Sequence, residues 1–199
     1  VRSRRQRQMC IRDRGNSEQE QRLKKSMGAL LTQVETLNDI ATSFSSFAKM
    51  PIPENIHFNI TNTLKNTIQL YESNQDMLFK KNIYLEDVWV NGDEKLLGRI
   101  LTNLILNGKQ AVSSDKQPIV ELSSRMENKQ FLIELKDNGD GIPEEIQYKV
   151  FLPNFSTKYT GSGIGLAVAK RGIEHAGGKI WFETKENEGT SFFILLPII

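Results

Sequence analysis

Three glycines at every second position, Gly161, Gly163 and Gly165, run straight into a helical pattern that extends from Ala167 to Ala176. Alternate glycines let a backbone pass close to a phosphate chain with no Cβ in the way, and the helix start that comes next offers unpaired N–H groups to negative charge. The stretch Gly161-Ser162-Gly163-Ile164-Gly165-Leu166 is therefore either a nucleotide loop or a flexible helix cap, and the rest of the chain has to decide between them. Its spacing is not the dinucleotide fingerprint G-x-G-x-x-G, and no G-x-x-x-x-G-K-[ST] phosphate loop occurs in the 199 residues. Metal-hydrolase and nucleophile signatures are absent too.

From Ser17 to Lys49 apolar residues recur at steps near three and four: Leu23, Met27, Leu30, Val34, Leu37, Ile40, Phe44 and Phe47. That spacing predicts one long helix with a continuous seam, which cannot bury its stripe alone and so implies a helical hairpin or a dimer. Pro51 and Pro53 end it. Beyond them, a linker strand leads into a helix with Ile60, Leu64, Ile68 and Tyr71 on one face. A strand is expected from Asn82 to Val90, then a helix capped by Asp93 that carries Asn103 and Asn107 four apart on one face. Strands at 119–124 and 130–136 form a hairpin through Glu127-Asn128-Lys129, and a short helix runs from Pro143 to Phe151. The helix after the glycine run stops at Gly177-Gly178, and strands at 179–184 and 190–196 close the pattern. This order predicts an α/β fold, a two-layer sandwich of a mixed sheet with helices on one face, preceded by the long helix.

Charge excludes some functions. With 26 basic and 24 acidic residues the net charge is +2, so no general polyanion surface is implied and nucleic acid is not an expected partner. No apolar run approaches the ~18–20 residues of a membrane-spanning helix, so no membrane segment is expected in this fragment. The first residues stand apart. Arg4 to Arg14 back-translate into a transposon-type sequencing adapter read in frame, so residues 1–14 read as an artefactual, disordered lead, Cys10 included. On that reading the native gene is cut at its 5′ end.

Four separated pieces call for one explanation: Asn103 and Asn107 on a helix, Asp137-x-Gly139-x-Gly141 after a strand, the glycine run before a helix, and Gly189-Thr190 entering a strand. Together they resemble the ATP-binding domain of sensor histidine kinases, within the group that includes gyrase B, Hsp90-type chaperones and MutL. Asn103 to Ala111 is similar to that family's N box, 137–143 to its G1 box, Val150 to Lys158 to its F box, 161–166 to its G2 box and Gly189-Thr190 to its G3 box.

The resemblance implies ATP and Mg²⁺ as cofactors. It implies that Asp137 accepts the adenine amine and rejects guanine, which presents a carbonyl there, while Gly139, Gly141 and Ile142 line the base. Asn107 would ligate Mg²⁺, with phosphates supplying the charged oxygens. Asn103, Lys158 and the backbone of Gly161, Ser162, Gly163, Ile164, Gly165 and Leu166 would meet the phosphates, with 156–162 as a mobile lid, and Thr190 would sit at the pocket floor. Bland readings remain for each: Asn103 as a backbone bridge, Asp137 as a turn former, Lys158 as a solvated charge.

ATP-hydrolysing members of the group carry a glutamate base four residues before the magnesium asparagine. Here Asn103 stands in that place, and an amide cannot take a proton from water, which favours transfer to an external nucleophile. His57, in the linker, and His175, at a helix end where packing or capping suits it, do not match a phosphoacceptor. The sequence Ala41 to Pro51, however, resembles the second helix of the dimerisation hairpin in nitrogen-regulation-type (NtrY-like) sensor kinases. The expected organisation is thus 15–52 as that second helix, the first helix and its histidine lying upstream, and 53–199 as the ATP-binding kinase domain. The resemblance therefore implies a cytoplasmic fragment of a kinase whose full-length form can be anchored in the inner membrane. That kinase would be homodimeric when intact, with a response regulator as partner, and the fragment would be unable to autophosphorylate as it stands. The alternatives are a nucleotide-sensing adaptor without transfer activity and a serine-directed kinase of the anti-sigma type.

Overall fold

The computed structural model describes residues 23–34, 37, 38, 41, 53–157 and 163–199. The chain divides into two units, Val1–Ser46 and Phe47–Ile199. In the first, α1 covers 23–34, with 37, 38 and 41 also helical. Its seam residues Leu23, Met27, Leu30, Val34 and Leu37 are all exposed. Pro51 and the 42–50 part of the predicted long helix lie outside the described residues, as does the adapter-like lead.

In the second unit the order is β1 (Ile56–Asn59), α2 (Ile60–Tyr71), β2 (Leu78–Asn82), β3 (Trp89–Gly92), α3 (Glu94–Gln110), β4 (Ile119–Glu127), β5 (Gln130–Asp137), α4 (Glu144–Gln147), α5 (Gly165–His175), β6 (Lys179–Lys185) and β7 (Gly189–Pro197). Alternation along the strands sends Val120, Leu122, Phe131, Ile133, Leu135, Phe192, Ile194 and Leu196 inward, where α2, α3 and α5 cover them. Glu121, Glu134, Lys136 and Glu183 stand on the other face. Leu101 and Ile105 of α3 are fully buried against this sheet, each contributing roughly 1.5–3 kcal/mol. The main sheet has five strands in the order β2-β4-β5-β7-β6; β2 pairs parallel with β4 and the other pairs are antiparallel. This is the mixed sheet, helix-covered on one face, that the pattern predicts.

Local chemistry explains the boundaries. Asp93 accepts the Leu96 N–H at 2.9 Å and starts α3, a cap worth about 1 kcal/mol. The β4–β5 hairpin turns on Asn128 and Lys129, both at positive φ, as the right-handed twist of the paired strands favours. Gly177, at φ +75°, ends α5, and the Gly178 N–H returns to the Ile173 carbonyl.

Three expectations need correction. The single strand from Asn82 to Val90 is two strands in two sheets: β2 ends at Asn82, and β3 pairs with β1 in a separate two-stranded sheet. Between them the backbone finds other partners. The Ser124 hydroxyl accepts the Tyr84 N–H, Thr61 donates to the Glu86 carbonyl, and the Ile60 N–H donates to the Val88 carbonyl. The helix expected over 143–151 shrinks to four residues and then a run of turns. His57 belongs to β1 rather than to a linker, and His175 stands exposed in the last turn of α5.

Candidate nucleotide-binding site

Helix α3 brings the first pieces together. Asn103 and Asn107 lie one turn apart, and the stretch around them touches both the start of α5 and the end of β5. A Cβ at Gly165 would come within 2.7 Å of the Asn103 Nδ2, so the first residue of α5 packs directly on that amide. A Cβ at Gly108 would lie 3.0 Å from the Asp137 Cβ, which sets the position next to Asn107 against the aspartate. Asn103 Nδ2 is buried with no hydrogen-bond partner among the described residues. A buried donor left unmade costs about 1–3 kcal/mol, and such groups await an acceptor. Helix α5 begins at Gly165 with no side-chain cap, so its first N–H groups are likewise available to an anion.

Asp137 closes β5 and is only 7 % exposed. Its Oδ1 accepts the Gly139 N–H at 2.8 Å and the Thr190 N–H at 3.2 Å. Burial raises the carboxyl above the ordinary carboxylate range, while the two backbone hydrogen bonds oppose that rise. With Oδ1 committed to two donors, Oδ2 is the oxygen left to meet a ligand.

The loop after Asp137 is braced on every side. The Asp140 N–H donates to the Ala111 carbonyl, Ser113 Oγ donates to Asp140 Oδ1 at 2.7 Å, and Asn138 holds both Ile119 N–H and the Gln117 carbonyl. Gly139 packs so closely on Ala111 that a Cβ would fall 2.7 Å from the Ala111 Cβ. Gly141, at φ +75°, lies against the Lys185 carbonyl, and Gly189, at φ +110°, lies against the carbonyl of Asp137 itself; a Cβ would approach those oxygens to 2.5 and 2.1 Å. Only glycine fits either place.

Gly163 sits on the backbone of Asn154 and Phe155, where a Cβ would meet Asn154 C at 2.6 Å. Ile164 precedes α5, and Leu166 packs on the core. Lys158, Gly161 and Ser162 lie outside the described residues.

The structure thus brings Asn103, Asn107, Asp137, Gly139, Gly141, Ile142, Gly163, Gly165 and Thr190 into one region built by α3, β5, α5 and β7. Two contributors are not among the residues that the sequence singles out. Thr184 on β6 receives the Ile142 N–H at 2.9 Å, donates to the Gly189 carbonyl and lies 3.0 Å from Thr190 Oγ1. Counting back from the turn at 187–189 pairs it with Thr190, so a signal for it exists. Asn154, at φ +65° with a buried Oδ1 that has no partner among the described residues, carries no such signal.

Residues 92–199 match the family described as "Histidine kinase-, DNA gyrase B-, and HSP90-like ATPase", and the chain belongs to it. Sporulation kinase C of Bacillus subtilis is 27 % identical over 176 residues, 85 % of this chain and 40 % of that protein. The signal transduction histidine-protein kinase AtoS of Escherichia coli is 35 % identical over 109 residues, 55 % of this chain and 18 % of its own length. The solved catalytic domain of histidine kinase ThkA superposes with a TM-score of 0.63 at 30 % identity, covering 72 % of this chain and 95 % of that one. The chain accordingly carries a histidine-kinase-type, ATP-binding catalytic domain. The chain spans less than half the length of the two curated relatives named.

Proposed function

We propose that this chain is part of a nitrogen-regulation-type two-component sensor kinase. It binds Mg·ATP and, in the intact homodimer, phosphorylates a histidine on a helical hairpin that relays the phosphoryl group to a response-regulator aspartate. The observation that carries the reading is the meeting of Gly165 with Asn103 and of Gly108, Gly189 and Thr190 with Asp137 on the two ends of one α3 face. That arrangement has an acceptor for a base amine at one end and unpaired donors for phosphate at the other.

Adenine is held by Asp137 through its exocyclic amine, with Ile142 and the backbone at Gly139 and Gly141 beside the ring. Asn103 and the opening of α5 hold phosphate oxygens, joined by Lys158, Gly161 and Ser162 from the lid. Asn107, whose amide oxygen is a hard neutral ligand, would hold Mg²⁺, which would supply positive charge beside the phosphates. Among the described residues no cluster of three or more His, Cys, Asp or Glu side chains could hold a metal, and phosphate oxygens would supply the charged ligands. Asn103, where a water-activating carboxylate would be needed for hydrolysis, supports transfer to a histidine instead.

The exposed seam of α1 supports 15–52 as one helix of the hairpin, since five large apolar side chains on one stripe call for a partner helix. The related ThkA has been solved in complex with the response regulator TrrA, which supports a response regulator as partner. A cytoplasmic location fits such a partner.

Supplying the histidine-bearing hairpin of the intact kinase in trans, with γ-labelled ATP, is expected to give an acid-labile, base-stable label on the hairpin and none on His57 or His175. ATP binding with an unlabelled hairpin would leave the nucleotide-sensing adaptor as the better reading. Asn107→Ala is expected to abolish the increment in ATP affinity that magnesium gives, seen by calorimetry with and without EDTA. An undiminished magnesium increment would remove Asn107 from the metal.

A further inference from the structure

Thr184 has one hydroxyl proton and two lone pairs, and all three are accounted for. A carbonyl can only accept, so the contact of Thr184 Oγ1 with the Gly189 carbonyl at 3.1 Å uses the Thr184 proton. The Ile142 N–H takes one lone pair at 2.9 Å. The remaining lone pair faces Thr190 Oγ1 at 3.0 Å, and for that contact to be a hydrogen bond the proton has to come from Thr190. Thr190 has then spent its only proton and shows lone pairs alone to anything else it meets. It is 5 % exposed, and its own N–H is bonded to Asp137 Oδ1, which sets the residue beside the aspartate.

We propose that Thr184 is a positioning residue for base selection: it takes the Thr190 proton, makes Thr190 a pure acceptor beside Asp137, and so strengthens the preference for adenine over guanine. Two acceptors side by side suit an amine, which brings two N–H donors to position 6 of the base. They oppose a carbonyl at the same position, which brings none. A water held between Thr190 and Asp137 obeys the same logic, because it donates to both and turns its lone pairs toward the base. Without the Thr184 oxygen, Thr190 recovers a proton that it can turn toward a carbonyl, and the penalty against guanine falls. The inference rests on the reading that Asp137 faces the base amine.

The test uses the full chain, with ATP and GTP affinities measured calorimetrically in magnesium and the thermal midpoint of each variant recorded. The wild type and Thr184→Ser, which keeps the hydroxyl, are expected to prefer ATP to a similar degree. Thr184→Val, of the same shape, is expected to lower the ATP-to-GTP preference by about tenfold, the scale of one hydrogen bond whose direction has been reversed. A folded Thr184→Val that keeps the wild-type preference within about twofold overturns the proposal, and so does a Thr184→Ser that loses it. Should the valine variant not fold, Thr184→Cys takes its place under the same two outcomes, a thiol being a weak acceptor of similar size. A wild type with no preference for ATP would overturn the base reading itself, a result distinct from a selective wild type whose selectivity ignores Thr184.

Discussion

Gly189→Ala is expected to lower the stability of the catalytic unit by roughly 4 kcal/mol or more, at the top of the range for a single substitution. Two costs add. At φ +110° an L-residue is strained whatever surrounds it, and the new Cβ would stand 2.1 Å from the Asp137 carbonyl oxygen, which belongs to rigid main chain. Relief requires β5 and the start of β7 to separate where they form the site. The loss amounts to a large part of the roughly 5–15 kcal/mol typical of a domain. Urea unfolding monitored by tryptophan fluorescence measures it, and an unfolding midpoint equal to the wild type would show that the turn relaxes freely. ATP binding is expected to disappear with the fold.

Asp137→Asn should move stability and binding in opposite directions. The amide oxygen can still take the Gly139 and Thr190 N–H bonds, but its NH₂ then stands where, on the proposed reading, Oδ2 meets the adenine amine, donor against donor. A loss of roughly 1.5–3 kcal/mol in ATP binding is expected, the scale of a hydrogen bond to a charged group. An unchanged ATP affinity would refute the base assignment. The fold, in contrast, gains. Because burial raises the folded-state pKa, the folded protein holds the proton more tightly than the unfolded chain, and stability falls as pH rises from the ordinary carboxylate range through the raised value. Where the folded-state carboxyl is ionised the penalty of the buried charge is present, and the neutral amide removes it. The thermal midpoint of Asp137→Asn should exceed that of the wild type at about pH 7, with the difference shrinking on acidification. ATP affinity of the wild type should weaken over the same window, at higher pH than an ordinary aspartate would dictate.

The helices are legible in the sequence because Leu97, Ile100, Leu101, Leu104 and Ile105 repeat with helical period behind an aspartate cap, and the β4–β5 and β6–β7 hairpins because alternation stops at turn residues. The split of 82–90 is not legible. Ile83, Leu85, Val88 and Val90 alternate as a strand should, yet Leu85 is exposed and the backbone at 84, 86 and 88 bonds to Ser124, Thr61 and Ile60. Pattern reports which side chains could face a core; it does not report which neighbour a backbone finds across 40 residues. The site residues divide in the same way. Asn107, Asp137 and the glycines stand out because their types are unusual at their spacings, whereas Thr184 is an ordinary strand residue until its partner strand is in register.

Gly139, Gly141 and Gly189 touch main chain at Ala111, Lys185 and Asp137. For an inhibitor resting on these loops, that limits which positions can change. Escape from an inhibitor usually comes from enlarging a residue that the drug touches, and at these three places enlargement strikes the protein's own backbone before it reaches the drug. Selection is left with the side chains around the loops, Ile142 and Thr190 among them, as the routes to resistance.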